Sequence, residues 1–85
     1  MAAGSRRVLI AGASAGIGAA LVRALASRGD TVFACARRAE ALRAVTKGDT
    51  VARSRACDVG DEAQVRALLD WISAEAAALD AVIFC

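Results

Sequence analysis

The hydrophobic pattern of the chain changes its period at a group of three glycines. In the uncharged stretch LIAGASAGIGAALV, residues 9–22, a continuous apolar run ends at Gly12, and apolar residues recur every three or four positions after Gly16. The first pattern is typical of a buried parallel strand, and the second of a helix with one apolar face. The stretch therefore predicts a strand, a glycine loop and a helix. We expect Gly29 to cap this helix and its buried stripe to consist of Ile17, Ala20, Leu21, Ala24 and Leu25.

The same two patterns alternate along the rest of the chain. Residues 31–36, 51–57 and 81–85 predict further strands, while residues 39–46 and a segment opened by Asp61 predict two more helices. Strands separated by helices pair in parallel through right-handed crossovers. The sequence therefore predicts one α/β unit, β-α-β-α-β-α-β, with helices on both faces of a parallel sheet. The third strand alternates only loosely, which indicates a sheet edge.

The last helix has the clearest boundary signal. Asp61 and Gln64 have the spacing of a capping box. A turn is expected at residues 48–49, before the third strand. The apolar positions of the last helix predict a buried stripe of Val65, Leu68, Leu69, Ile72, Ala76 and Leu79.

Composition limits the classes of partner and site. A net charge of +2 is too small to indicate binding to nucleic acid or to a membrane surface, and we expect neither. Cys35, Cys57 and Cys85 are widely spaced and the chain has no histidine, so neither a zinc site nor a disulfide framework is predicted. Each cysteine lies in or at the end of an apolar run, which favours buried free thiols and a cytoplasmic location.

The glycine loop, residues 12–18, has the composition of a phosphate-binding turn. Gly12 tolerates positive φ, Gly16 lets an anionic oxygen approach the backbone, and Gly18 lets the helix rest on the strand. Main-chain N–H groups and the helix dipole then favour the pyrophosphate of a dinucleotide. The alternative is that the glycines serve only tight packing. The candidate cofactor-binding residues of the loop are Gly12, Ser14, Ala15, Gly16, Ile17 and Gly18.

The pattern G-x-x-x-G-x-G, with Ala-Ser inside it, resembles the nucleotide loop of the short-chain dehydrogenases/reductases. This family usually has Thr before the first glycine, where this chain has Ala11. The resemblance covers the whole chain and implies an incomplete Rossmann-type sheet with strand order 3-2-1-4. Phe84-Cys85 stand where the family's Asn-Asn-Ala-Gly begins, and its catalytic serine, tyrosine and lysine lie further on. We therefore expect residues 1–85 to be the N-terminal part of a single NADP-binding domain, inactive alone and without catalytic residues.

The residues after the second strand favour NADP(H) over NAD. An acidic residue at this place would hold the ribose 2′-hydroxyl of NAD, but the chain reads Ala36-Arg37-Arg38 and has no carboxylate before Glu40. Arginine presents a planar fork that suits a phosphate. Arg37 also matches the arginine of NADP-dependent members of the family, and Ser14 is a further candidate for the 2′-phosphate. The alternative is a solvated arginine pair at a helix start.

Asp58-Val59, after the third strand, matches an Asp-Val pair of the family. The resemblance implies that Asp58 accepts a hydrogen bond from the adenine amino group and that Val59 packs on the ring. Asp58 could instead be an ordinary helix-entry residue.

The resemblance implies an oxidoreductase that transfers hydride between NADPH and a small carbonyl or alcohol substrate, as a homo-oligomer when complete. One alternative is a non-catalytic dinucleotide-binding or sensing module, because the chain has no His, no Tyr and a single lysine, Lys47. The other is an exported protein, since residues 5–26 resemble a twin-arginine signal that ends in an Ala-x-Ala cleavage pattern.

Overall fold

The computed structural model describes residues 6–13, 16–46, 52–76 and 78–85. Strands and helices alternate in the predicted order, and the predicted turn at residues 48–49 lies outside the described residues. The elements are β1 (Arg7–Ala11), α1 (Gly16–Ser27), β2 (Thr31–Ala36), α2 (Ala39–Thr46), β3 (Ala52–Ala56), α3 (Glu62–Glu75) and β4 (Ala81–Phe84).

The four strands form one parallel sheet in the order β3-β2-β1-β4. Leu9 of β1 lies between Phe33 of β2 and Val82 of β4. This arrangement confirms the expected strand order. Because the chain runs from β1 out to β3 and then returns to the other side of β1, the direction of winding reverses between β1 and β4. In open α/β sheets, the carboxyl ends of the strands at such a reversal are the usual place for a ligand.

Helices cover both faces of the sheet, as predicted. Alternate residues of β1 point to opposite faces: Val8 and Ile10 pack with α1 and α2, while Leu9 and Ala11 pack with α3. Phe33 is fully buried on the α3 face, and the centroid of its ring lies 5.4 Å from the ring centroid of Trp71 in an edge-to-face contact. The sheet therefore has two small apolar cores, one on each side.

The buried face of α1 differs from the predicted stripe. Its buried residues are Gly18, Ala19, Val22 and Ala26. Ile17 is 75% exposed, Ala20 and Ala24 are exposed, and Leu21 and Leu25 are only partly buried. The helix is rotated from the predicted orientation, so that Gly18, Ala19, Val22 and Ala26 face the strands and its leucines lie at the margin of the core.

The end of α1 is a Schellman motif. Gly29 has a φ of 90°, its N–H donates to the Ala26 carbonyl at 2.9 Å, and the Asp30 N–H donates to the Leu25 carbonyl at 3.1 Å. This geometry confirms the predicted glycine cap. Asp30 is fully buried, and its Oδ1 accepts a hydrogen bond from the Arg6 N–H at 3.0 Å.

The two outer strands have different chemistry. Arg53 and Arg55 of β3 are exposed, and Arg53 forms an ion pair with Glu75 of α3 at 3.3 Å. The edge position predicted for the third strand is thus confirmed. β4 reads AVIF, and its Val82 and Phe84 are 47% and 74% exposed.

The stripe predicted for α3 is confirmed at Val65, Leu68 and Ile72 and wrong at Leu69, and the helix ends at Glu75, before Ala76 and Leu79. Leu68 and Ile72 are buried, and Val65, Ala76 and Leu79 pack against them. Leu69 is 48% exposed. Among the described residues, no helix is both long and apolar enough to cross a bilayer.

Candidate functional site

A cleft of about 520 Å³ lies at the carboxyl ends of the strands, and we call it the strand-end cleft. It brings together residues that follow β1, β2 and β3, which are far apart in sequence. Five residues predicted for a cofactor line it: Gly12, Arg37, Arg38, Asp58 and Val59. The other lining residues are Ala11, Cys35, Ala36, Cys57, Phe84 and Cys85.

A second cleft of about 530 Å³ lies on the other side of Gly12, and we call it the apolar cleft. Ile17 and Gly18 of the predicted loop line it, together with Leu21 and Ile83; Gly12, Phe84 and Cys85 line both clefts. Gly16 is exposed and lines neither of these two clefts. Ser14 and Ala15 lie outside the described residues.

The start of the glycine loop is held to β2. Gly12 has a φ of 81°, and the N–H groups of Gly12 and Ala13 both donate to the Cys35 carbonyl, at 2.9 and 3.1 Å. These two N–H groups are therefore engaged within the protein. The first turn of α1 begins at Gly16, and first-turn N–H groups have no partner within a helix. Any main-chain donors for an anion lie in this turn and not at Gly12.

Gly16 and Gly18 meet different structural requirements. Gly16 has a φ of 59°, and a Cβ built there would have no atom within 4 Å. A Cβ at Gly18 would collide with the carbonyl oxygen of Gly12 and would lie 3.0 Å from the Cα of Ala13. Gly18 is therefore required for close packing, whereas Gly16 supplies a left-handed backbone and leaves the space in front of it open.

Arg37 and Arg38 follow the last residue of β2, and both are exposed at the strand-end cleft. No carboxylate in the described part of the chain pairs with either guanidinium at salt-bridge distance. The first acidic residue after them is Glu40, in the first turn of α2. Two positive charges thus stand at one wall of the cleft.

Asp58 stands after β3 and is partly buried. Its Oδ1 accepts a hydrogen bond from the Gly60 N–H at 2.9 Å, and its own N–H donates to Oε1 of Gln64 at 2.8 Å. The N-cap of α3 is Asp61, whose carboxylate accepts from the N–H groups of Ala63 and Gln64. Asp61 is thus the N-cap, as predicted, while Asp58 takes part in the turn that leads into α3.

The predicted capping box is only half formed. In a full capping box the side chain of Gln64 would reach the N–H of Asp61. Here its Oε1 accepts from the N–H of Asp58, and its Nε2 donates to Oδ2 of Asp61 at 3.1 Å. The Asp61 N–H instead donates to the Asp58 carbonyl at 3.0 Å.

All three cysteines line the strand-end cleft, but only two are buried. Burial raises the pKa of the Cys35 thiol to about 11, with a smaller contribution from Cys57. Burial also raises the pKa of Cys57, and Asp58 adds to the shift. Both thiols are therefore uncharged at neutral pH where they line the cleft. The expected burial is wrong for Cys85, which is exposed beyond the end of β4.

Sequence reasoning did not identify Phe84 and Cys85 as residues of the site. They line both clefts because β4 ends beside β1, and a Cβ at Gly12 would lie 2.6 Å from the Cys85 carbonyl oxygen. The only signal available in the sequence was their position at the end of a predicted strand.

A parallel sheet in this order, with a glycine loop at its reversal point, defines a Rossmann-type α/β protein. A family profile described as short chain dehydrogenase matches residues 6–85. The chain belongs to the short-chain dehydrogenase/reductase family. This match includes β1 and α1, so removal of residues 5–26 as an export signal would take away the central strand of the sheet.

Similar proteins agree with this assignment. The chain is 43% identical over 79 residues to D-threitol dehydrogenase of Mycolicibacterium smegmatis, which covers 88% of this chain and 30% of that protein. A variant of actinorhodin polyketide ketoreductase with NADPH has a TM-score of 0.84 at 32% identity, covering 100% of this chain and 34% of that one. A metagenomic short-chain oxidoreductase in complex with NADP has a TM-score of 0.84 at 35% identity, covering 95% and 38%. The chain spans about a third of the length of these relatives.

Proposed function

We propose that this chain is the NADP(H)-binding part of an oxidoreductase that transfers hydride between NADPH and a small carbonyl or alcohol substrate. The observation that carries the proposal is the meeting of three segments at the strand-end cleft: the start of the glycine loop at Gly12, the arginine pair and Asp58-Val59. Two structural neighbours were solved with NADPH or NADP, which supports the same class of cofactor here.

In this proposal each of the three segments binds a different part of the cofactor. The pyrophosphate lies at the first turn of α1, held by Gly16, Ile17 and Gly18 together with Ala15, and the Ser14 hydroxyl is a further candidate ligand for the 2′-phosphate. Arg37 and Arg38 bind the 2′-phosphate. Asp58 accepts from the adenine amino group, and Val59, 55% exposed at the cleft wall, packs on the ring.

The preference for NADP over NAD depends on charge. A charge-assisted hydrogen bond to phosphate contributes about 1.5–3 kcal/mol, roughly a ten- to hundredfold preference. Arg37 and Arg38 have no competing carboxylate at ion-pair distance among the described residues, so their charge is available to a ligand. A carboxylate at this position would favour NAD instead.

The bound cofactor would supply the hydride, and the described residues bind and orient it. Neither His nor Tyr occurs in the 85 residues, so we propose that proton transfer belongs to further residues of a longer protein. That protein would be a cytoplasmic homo-oligomer acting on a small molecule, and this chain would be the N-terminal part of its single domain. The contrast between the charged strand β3 and the apolar strand β4 supports a sheet that continues beyond β4.

The proposal is tested by the binding of reduced cofactors to the Arg37→Ala variant. We expect NADPH affinity to fall about ten- to hundredfold, because a phosphate contact is lost, while NADH affinity changes little. Isothermal titration with both cofactors measures the two effects. Arg23→Ala, which removes an exposed arginine of α1 away from the cleft, is the matched control. Equal losses for NADPH and NADH would contradict the 2′-phosphate assignment.

Binding of a dinucleotide does not by itself make the protein an oxidoreductase. A non-catalytic dinucleotide-binding module would use the same cleft and give the same binding result. Reduction of a carbonyl substrate by NADPH, assayed on the complete protein, distinguishes the oxidoreductase from such a module.

A further inference from the structure

The side chain of Gln64 forms two hydrogen bonds within the connection between β3 and α3. Its amide oxygen accepts from the Asp58 N–H at 2.8 Å, and its amide nitrogen donates to Oδ2 of Asp61 at 3.1 Å. The same Asp61 carboxylate caps α3 through its other oxygen. Gln64 therefore connects a residue of the cleft wall to the first turn of a helix.

The carboxylate of Asp58 is fixed in the same unit. Its Oδ1 accepts from the Gly60 N–H, and a Cβ on Gly60 would lie only 3.2 Å from that oxygen. The Asp58 carbonyl accepts from the Asp61 N–H at 3.0 Å. Gln64 thus bonds the backbone of Asp58 and Gly60 bonds its carboxylate, and both hydrogen bonds favour the orientation that Asp58 has at the strand-end cleft.

We propose that Gln64 is a positioning residue for recognition of the nucleotide base, acting through Asp58. This inference rests on the proposed function, in which Asp58 accepts from the exocyclic amino group of adenine. Gln64 does not line the cleft, so in this proposal it acts from behind Asp58 and not by contact with the base. Its effect is to place the Asp58 acceptor where an amino group can reach it.

A glutamine meets this requirement because its amide is both an acceptor and a donor. Alanine at this position would leave the Asp58 N–H and the second oxygen of Asp61 without these partners. Glutamate would keep the acceptor for Asp58, but it would bring a second carboxylate close to that of Asp61. Glutamate should therefore restore the position of Asp58 only in part.

Base discrimination gives a readout that general damage to the fold would not produce. At C6 adenine has an amino group that can donate to a carboxylate, whereas hypoxanthine has a carbonyl oxygen there, and an ionised carboxylate can only accept. A correctly placed Asp58 therefore favours adenosine 2′,5′-bisphosphate over its inosine analogue. Both probes keep the 2′-phosphate, so contacts of Arg37 are equal in the two complexes.

The experiment compares the affinity of the two bisphosphates for wild type and Gln64→Ala by isothermal titration. We expect the adenine preference of Gln64→Ala to fall about three- to tenfold, the value of one lost neutral hydrogen bond, with an intermediate preference for Gln64→Glu. The Asp58 amide should also exchange with deuterium faster in Gln64→Ala. Glu62→Ala is the control, because it removes an exposed side chain from the same turn of α3.

The outcomes separate this inference from the proposed function. Wild type that does not prefer adenine contradicts the role of Asp58 and, with it, the role of Gln64. Wild type that prefers adenine while Gln64→Ala keeps the full preference overturns the positioning role alone. If Gln64→Ala does not fold, the test uses Gln64→Glu instead. A Gln64→Glu variant that prefers adenine as strongly as wild type, although its Asp58 amide is unprotected from exchange, overturns the positioning role.

Discussion

At the residue scale, the glycine loop shows that the same residue type can meet different requirements. Gly12 needs a positive φ and also space for the Cys85 backbone, Gly16 needs only a positive φ, and Gly18 needs only space. A phosphate-loop motif in the sequence does not distinguish these requirements. The close approach at Gly18 also determines which face of α1 rests on the sheet.

Alanine substitutions should separate the packing glycine from the conformational one. We expect Gly18→Ala to lower the free energy of unfolding by about 1–3 kcal/mol, since the added methyl meets rigid backbone atoms of residues 12 and 13. Gly16→Ala should cost only about 1 kcal/mol, because its methyl enters open space and only the left-handed φ is unfavourable. Urea unfolding followed by circular dichroism measures both values. A Gly18→Ala variant no less stable than Gly16→Ala would contradict close packing at Gly18.

At the scale of elements, the C-terminal end of α1 also fixes the start of β1. The Schellman motif turns the chain at Gly29 and places Asp30 in the interior, where its Oδ1 accepts from the Arg6 N–H. Its Oδ2 lies 3.9 Å from Nε of Arg28 and has no hydrogen-bond partner among the described residues. One buried carboxylate therefore connects a helix end to the amino ends of two neighbouring strands.

The stability of Asp30 variants should depend on whether the new side chain keeps a hydrogen-bond acceptor for the Arg6 N–H. Asp30→Ala leaves the Arg6 N–H without a partner and should lower the free energy of unfolding by about 1–3 kcal/mol. Asp30→Asn keeps an amide oxygen for that N–H and should cost less. Arg28→Ala should change the stability by less than about 1 kcal/mol, because the guanidinium is largely exposed. Thermal and urea unfolding of the three variants test this ranking, and equal losses for Asp30→Ala and Asp30→Asn would exclude the hydrogen bond as the cause.

The elements also show how far the sequence predicts this molecule. Their order, the cap at Gly29 and the edge position of β3 follow from hydrophobic period, glycine chemistry and charge, which are local properties. The buried face of α1 does not follow from these local properties, because alanines occur on all sides of the helix and hydropathy cannot determine its rotation. The contact of Gly18 with the glycine loop determines the rotation instead. The hydrogen bond of Gln64 to Asp58 depends on how β3 connects to α3. The position of Phe84 at both clefts depends on how β4 pairs with β1. No local sequence pattern encodes either arrangement.

At the scale of the whole molecule, the described α/β unit has one small apolar core on each face of its sheet. Two of its buried side chains are the thiols of Cys35 and Cys57, which lie on the α3 face of the sheet. The chain has no Tyr and no His, and its only lysine is Lys47. Cys35 and Cys57, whose pKa values burial raises, are therefore the buried groups expected to affect the stability at alkaline pH.

The stability of the protein should accordingly fall at alkaline pH because of its buried thiols. Burial raises the pKa of Cys35 from 9.0 to about 11, so between these values the unfolded chain loses a proton that the folded chain retains. Stability due to the neutral thiol is complete below pH 9 and decreases as the pH rises towards 11, by at most about 1.4 kcal/mol per pH unit for one thiol. Urea unfolding followed by the fluorescence of Trp71, from pH 7.5 to 10.5, measures this slope. Cys35→Ala should reduce the slope and Cys85→Ala, which removes the exposed thiol, should retain it. A slope unchanged in Cys35→Ala would show that another group controls alkaline unfolding.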